Sequence, residues 1–442
     1  MILSKGNKKL VALIMLFFGQ IIISLSDINI PVNPESDVTS QSISRRLNND
    51  ISSFSAINES ETMIRSFMEK WDIVGASIAI VKDERLIYAK GFGHTDTSGK
   101  ENVQPRHLFR IASISKLITS VGIMQLVEEG KLQLQDQVFG PEGILNDSIY
   151  LDIKDPRVKN ITIKHLLTHS AGWSKYSGDP IFMPYTIKNA MNVELPVDLR
   201  TTIQYTLENR SLDFMPGTIS SYSNFGYAVL GEVIKEKTGY SYEQYITSEI
   251  LYPLGINDMH MGRSKMEEKY GNEVKYYSNS RFKRSYSSFS EGKIVPRQYG
   301  GNNFDVMSAA GAWLASPAEL LKLAVRIDGF EGKKDILSSE SINKMTKHTN
   351  EINPMGWVST DNQGNWKRSG SLTGSSALLK RQKDGITWVI LLNTSNSKGH
   401  EFTDNLDTLM TQVINNVNKW PNYDLFAYSK PKPLYAYSES NY

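Results

Sequence analysis

The chain has 442 residues, 40% of them apolar, which is enough for two domains or for one domain with a large insertion around an ordinary core. Its formal net charge is +2 and no basic stripe is interleaved with aromatic residues, so nothing points to nucleic acid. Cysteine is absent, which excludes disulfides, thiolate metal sites, a cysteine nucleophile and a lipidated N-terminal cysteine.

Lys5, Lys8 and Lys9 precede an apolar run from Leu10 to Leu25, and Ser24 and Ser26 are small residues at the positions a signal peptidase reads. Residues 1–26 therefore read as a secretory signal peptide. The alternative is an uncleaved membrane anchor, although the run is short for a full bilayer crossing. Either way the chain is expected to be exported, to the periplasm or outside the cell. Residues 27–58 are polar, with Pro31, Pro34 and many Ser and Asn, and read as a flexible leader.

The main domain is expected over 59–418. Met63, Ile64, Phe67, Met68 and Trp71 have helical spacing. Ala76 to Val81 and Leu86 to Phe92 read as strands joined by a turn at Lys82-Asp83-Glu84-Arg85, with Gly91 and Gly93 marking a bend or a close backbone approach. A buried helix is expected from Ser113 to Glu129, capped by Gly130. The next helix spans Ile161 to Trp173 and contains His165 and His169 at i, i+4. These could in principle bind a metal, but no acidic residue lies between them and no third ligand is evident, so structural roles are favoured. Further helices are expected at Leu199 to Glu208, Tyr227 to Thr238 and Tyr242 to Leu251. Residues 264–300 are polar and tyrosine-rich and read as a surface excursion.

Met307 to Leu323 reads as helical, with Pro317 at a first-turn position. Strands follow at Trp366 to Leu372, Ala377 to Arg381 and Thr387 to Asn393, the last two joined through Asp384-Gly385. Phe402 to Val417 is an amphipathic helix, and 419–442 is a tail expected to be disordered. The expected class is α+β. One antiparallel sheet is built from both ends of the chain and flanked by helices, and a mainly helical lobe is inserted at about 140–300. A site would lie in the cleft between the two.

The chemistry centres on Ser113-Ile114-Ser115-Lys116. A helical turn puts Ser113 and Lys116 on one face, and a lysine with a depressed pKa can activate a serine. The pattern S-x-x-K also starts at Ser280, Ser290, Ser341, Ser395 and Ser429, but only Ser113 opens a long apolar segment. Two other stretches could complete a site. Tyr222 and Asn224 precede a helix: a tyrosine beside a lysine can pass a proton, and an asparagine can bond a substrate carbonyl. The alternative is a turn with a packed tyrosine. Arg368-Ser369-Gly370-Ser371 would place a cation, hydroxyls and open glycine backbone on a strand. The alternative there is an ordinary edge strand.

In this order the three stretches resemble the serine β-lactamase and penicillin-binding-protein family, most closely its class C β-lactamase and D-alanyl-D-alanine carboxypeptidase branch. Leu166-Leu167-Thr168-His169-Ser170-Ala171-Gly172, Pro216-Gly217-Thr218 and Ala310-Gly311-Ala312-Trp313-Leu314-Ala315-Ser316 extend the resemblance over roughly residues 60–418. It implies a β-lactamase/transpeptidase-like fold. It implies an acyl-enzyme on Ser113, with Lys116 and Tyr222 sharing general base and acid work. Asn224 would orient the substrate amide, and the backbone N–H groups of Ser113 and Ser371 would form the oxyanion hole. No metal or organic cofactor is implied. The substrate would be a small molecule or peptide, possibly derived from cell wall, hydrolysed at a peptide, amide or ester bond. One departure stands out: Arg368 occupies the place of the family's usual Lys or His. A guanidinium there can grip a carboxylate or tune the pKa values of Lys116 and Tyr222. The competing reading is a catalytically weak penicillin-binding-like protein that binds cell-wall peptide or a partner.

Overall fold

The computed structural model describes residues 42–428, apart from 281, 282 and 362. The expected signal segment 1–26, leader residues 27–41 and the end of the tail, 429–442, lie outside the described residues.

The chain runs through α1 (Asn58–Lys70), β1 (Gly75–Lys82), β2 (Arg85–Gly93), β3 (Phe109–Arg110) and α2 (Ser115–Glu128). Its middle supplies α3 (Ile163–Leu167), α4 (Pro184–Met191), α5 (Leu199–Asn209) and α6 (Asn224–Thr238). The short strands β4 (His260–Met261), β5 (Tyr277–Ser278), β6 (Arg284–Tyr286) and β7 (Ile294–Pro296) come next. The last third holds α7 (Phe304–Gly311), β8 (Trp313–Ala315), α8 (Pro317–Ala324), β9 (Ser359–Thr360), β10 (Trp366–Leu372), β11 (Ser375–Arg381), β12 (Ile386–Leu392) and α9 (His400–Asn415).

The main sheet has the order β2-β1-β12-β11-β10-β9 and is antiparallel throughout, so both ends of the chain build it. β1 and β12 are almost continuously apolar because both of their faces are covered. On one face, Ile78 and Ile80 pair with Ile390 and Trp388 and pack with Ile64 of α1 and Leu406 and Met410 of α9. On the other, Ala79, Val389, Leu379 and Leu391 join a core that includes Leu117 and Val121 of α2 and Leu320 and Leu321 of α8. The fold is the α+β arrangement expected, with the helical middle set between strands from both ends.

Four local expectations change. Residues 42–58 are not a loose leader: Ile43, Leu47 and Ile57 are buried, and Ser52 Oγ bonds to β2 through the Ala89 amide and carbonyl. The tail's first part is also docked. Leu425 is buried, and the Asp424 carboxylate accepts from the Leu86 amide at 3.0 Å. The helix expected over 161–173 is only α3, because His169 takes φ +58° and Gly172 φ +112°. The helix expected over 307–323 is two helices separated by β8, with Ser316 capping α8 and Pro317 in its first turn. β8 is withdrawn from helix by pairing with β3 and β4.

Ile390 is 1% exposed at the centre of the sheet. Ile390→Ala should destabilise the fold by about 2–5 kcal/mol, read as a lower denaturant midpoint at unchanged slope. A midpoint equal to wild type would contradict this assignment of the core.

Candidate active site

Ser113 lies in a 3-10 turn, Ala112–Ile114, just before α2 rather than inside it. Three residues per turn eclipse positions i and i+3, which brings Lys116 Nζ to 3.3 Å from Ser113 Oγ. The turn is held from outside. β3 enters it already paired with β8, the Ile111 amide donates to the Trp313 carbonyl at 3.1 Å, and the Trp313 amide donates to Ser115 Oγ at 3.2 Å. Ala112 takes φ +49°, a strained value for a residue with a side chain. Gly370 of β10 seals the turn: a Cβ there would sit 2.2 Å from the Ile111 carbonyl oxygen and 3.1 Å from the Ser113 nitrogen. Only glycine lets the sheet approach the serine so closely.

The second wall is the start of α6. Ser223 caps that helix, its Oγ accepting from the Gly226 amide. Tyr222 precedes the cap, and its hydroxyl lies 2.7 Å from Ser113 Oγ. Behind Tyr222 lies His169, with ring centroids 4.4 Å apart. The His169 carbonyl accepts from the Ser221 amide and its Nδ1 from the Ser223 amide. His169 is held neutral, its pKa driven well down by burial and then by the charges of Arg368 and Lys116. His165 forms a capping box with Thr162. The two histidines thus serve different local structures.

Lys116 is fully buried, and its ammonium has an acceptor for each N–H: Asn224 Oδ1 at 2.8 Å, the Ala310 carbonyl at 2.5 Å and Ser113 Oγ at 3.3 Å. Burial lowers its pKa and Arg368 adds to the lowering, while Tyr222 and Asp179 oppose it. Arg368 is 1% exposed. Its Nε donates to the Ser113 carbonyl at 2.7 Å and its Nη2 to the Tyr222 hydroxyl at 3.3 Å. Burial alone would raise the Tyr222 phenol. The charges of Lys116 and Arg368, with hydrogen bonds to Lys116 and Ser113, outweigh it and bring the pKa down to about 8.

The fold therefore brings Ser113, Lys116, Tyr222, Asn224 and Arg368 together, with Gly370 behind the turn, Ser369 half-buried beside it and Ser371 exposed at the far end. Arg368 is buried, with Nε and Nη2 turned to Ser113 and Tyr222, and its charge lowers the pKa of both Tyr222 and Lys116. Sequence reasoning missed Asp179. Its carboxylate accepts from the Asn224 amide at 2.7 Å, from Asn224 Nδ2 at 3.1 Å and from the Phe225 amide at 3.2 Å. It thereby caps α6 and turns Asn224 Oδ1 toward Lys116. Asp179-Pro180 is a legible helix-start signal for the local turn at Pro180–Phe182. That it also caps a helix 45 residues on is not visible in the sequence.

A family model described as Beta-lactamase matches residues 61–410. Protein flp of Staphylococcus aureus is 25% identical over 363 residues, covering 80% of this chain and 66% of that protein, so this chain spans just under two thirds of the relative's length. Among solved structures, the octameric penicillin-binding protein homologue from Pyrococcus abyssi aligns with a TM-score of 0.59 at 29% identity. That alignment covers 77% of this chain and 74% of the other. The D-amino acid amidase from Ochrobactrum anthropi SV3 has a TM-score of 0.64 at 19% identity, covering 82% and 99%, and shares the fold.

The Gly370 contact yields a direct test. Gly370→Ala drives a methyl group into backbone and should cost about 1–3 kcal/mol in denaturant melts. It should also slow labelling of Ser113 by a fluorophosphonate probe, and wild-type labelling with wild-type stability would refute the tight approach.

Proposed function

This chain belongs to the beta-lactamase family, and from that premise we propose that it is a serine hydrolase that acylates Ser113 and cleaves a peptide, amide or ester bond. The observation that carries the reading is Ser113 Oγ held between the Tyr222 hydroxyl at 2.7 Å and Lys116 Nζ at 3.3 Å, with a second buried cation, Arg368, on Tyr222. A lone serine near a lysine would not need such a neighbourhood. A nucleophile does.

The steps follow from the charges. As phenolate, Tyr222 accepts the Ser113 hydroxyl proton while Oγ attacks the substrate carbonyl. Lys116 and Arg368 keep the phenolate favourable in a buried site. The tetrahedral oxygen is met by the backbone N–H groups of Ser113 and Ser371. Tyr222 then returns the proton to the leaving group, which departs and leaves the acyl-enzyme. A water molecule, deprotonated by Tyr222, releases the acyl group and restores the hydroxyl of Ser113. Lys116, bonded to Asn224, Ala310 and Ser113, holds Ser113 beside the phenolate through this cycle, and Asn224 orients the substrate amide. The residues present suffice without a metal or an organic cofactor. The basic and apolar segment at residues 1–26 supports action after export.

The reading is tested first with a p-nitrophenyl ester. Wild type should turn it over, and Ser113→Ala should lose at least about a thousandfold in kcat/KM with its melting curve intact. Equal turnover in both forms would end the acyl-enzyme reading.

The pH profile tests the role of Tyr222. The base must be deprotonated, so kcat/KM should fall as pH drops below about 8 and level off above it. Arg368→Met removes a positive charge, raises the pKa of both Tyr222 and Lys116, and should move this acid limb to higher pH. Arg368→Lys keeps the charge and should leave the limb near its wild-type position. An unmoved limb in Arg368→Met would assign Arg368 a packing role only.

A further inference from the structure

We propose that the acyl part of the substrate carries a carboxylate, and that Arg297 reads it from a polar cavity beside Ser371. This inference rests on the serine hydrolase reading above.

The cavity has a volume of about 300 Å³, at the lower end of what holds a small-molecule group. Its walls include Phe182, Arg297, Asn302, Ser371, Thr373 and Asn396, with further serine hydroxyls between them. Among the described residues, Arg297 is its one charged lining group, and no acidic side chain faces it. Arg297 is solvent-exposed at the rim of this cavity, and its guanidinium has no hydrogen bond or ion pair with the described residues. A cation at the mouth of a cavity lined by hydroxyls and amides, with no carboxylate of the protein's own among the lining residues, matches an anionic oxygen group.

The position of the cavity says which part of the substrate reaches it. Tyr222 returns the proton to the leaving group, so that group lies on the side of Tyr222, whose hydroxyl is bonded to Arg368 of β10. Ser371 lies three residues further along the strand, about 10 Å away. The cavity begins at Ser371 and continues through Leu372 and Thr373. A carbonyl carbon at Ser113 Oγ thus has its leaving group toward Arg368 and its acyl chain toward the cavity. Arg368 is 1% exposed and directs Nε to the Ser113 carbonyl and Nη2 to the Tyr222 hydroxyl, on the leaving-group side.

The tyrosine-rich excursion acquires a role in this arrangement. β6 and β7 form a hairpin that leans on α4. The Tyr185 hydroxyl donates to the Ser287 carbonyl at 3.0 Å, its ring lies 5.8 Å from that of Tyr286, and Lys188 pairs with Glu291 at 3.3 Å. The Arg297 amide donates to the Lys283 carbonyl, and the Tyr299 hydroxyl accepts from the Tyr276 amide at 2.9 Å. The wall carrying Arg297 is therefore tied to α4 and to the segment around Tyr276.

The test compares two p-nitrophenyl esters with the same chain length and leaving group, the mono-ester of adipic acid and the ester of hexanoic acid. Wild type should prefer the acidic acyl donor by about tenfold or more in kcat/KM, as a charged hydrogen bond would give. Arg297→Gln should bring the ratio close to one through a higher KM for the adipoyl ester, and Arg297→Glu should reverse it. Lys293→Gln, a charge removed from the same hairpin outside the cavity, should keep the wild-type ratio. Turnover of the hexanoyl ester by wild type without any preference overturns the inference, as does a preference that survives in Arg297→Gln. Failure of wild type to hydrolyse either ester, with Ser113 unlabelled by a fluorophosphonate, would instead remove the hydrolase reading and the inference with it.

Discussion

Two cations, Lys116 and Arg368, are buried at 0% and 1% exposure on either side of one phenol. Removing a charge from water costs several kcal/mol unless opposite charge or well-aimed acceptors replace the solvent. Here each Lys116 N–H has an acceptor, and Arg368 directs two of its N–H groups to Ser113 and Tyr222. What remains is an excess of positive field, and its nearest outlet is the Tyr222 hydroxyl. A phenol lowered to about 8 is the consequence. Around that pair, Ala310 presents its carbonyl at the end of α7, Asp179 holds Asn224, and burial together with the two charges drives the His169 pKa well down beside Tyr222.

The scaffold that holds these groups is assembled from distant parts of the chain. The serine turn hangs between β3 and β8 on one side and β10 on the other. β10 is fixed in register by its ladder with β11, which is fixed by β12, which pairs with β1 near the N-terminus. A slip of one residue in that ladder would remove Gly370 from the turn and put a side chain against the Ile111 carbonyl. The two apolar faces of the sheet make such a slip costly, so core packing and site geometry are one constraint.

Arg368 also changes what its position means chemically. At the surface of a cleft, a guanidinium would be a substrate grip. Buried beneath the serine, it directs Nε to the Ser113 carbonyl and Nη2 to the Tyr222 hydroxyl. The segment 264–300 is itself packed into the fold through the buried Val274 and Tyr276, and at the cleft's far end it contributes polar walls through Ser278, Ser280 and Arg297.

The sequence by itself determined the class of fold and the chemical core of the site. Apolar-rich runs at Ala76 to Val81 and Thr387 to Asn393 announced strands, and the amphipathic spacing of α1 and α9 announced helices flanking the sheet. Ser113, Lys116, Tyr222, Asn224 and Arg368 were legible because each sits in a local pattern of turn, cap or strand. Only the tertiary structure decided the rest. Local spacing could not show that Trp313 would leave a helix to pair with β3, that residues 42–57 and 420–428 would pack instead of trailing, or that Asp179 would cap α6. Those outcomes depend on contacts between segments far apart in the chain, whose energies exceed local propensity. The burial of Arg368 is of the same kind: its residue type was readable, but which way its charge points is set by packing around it.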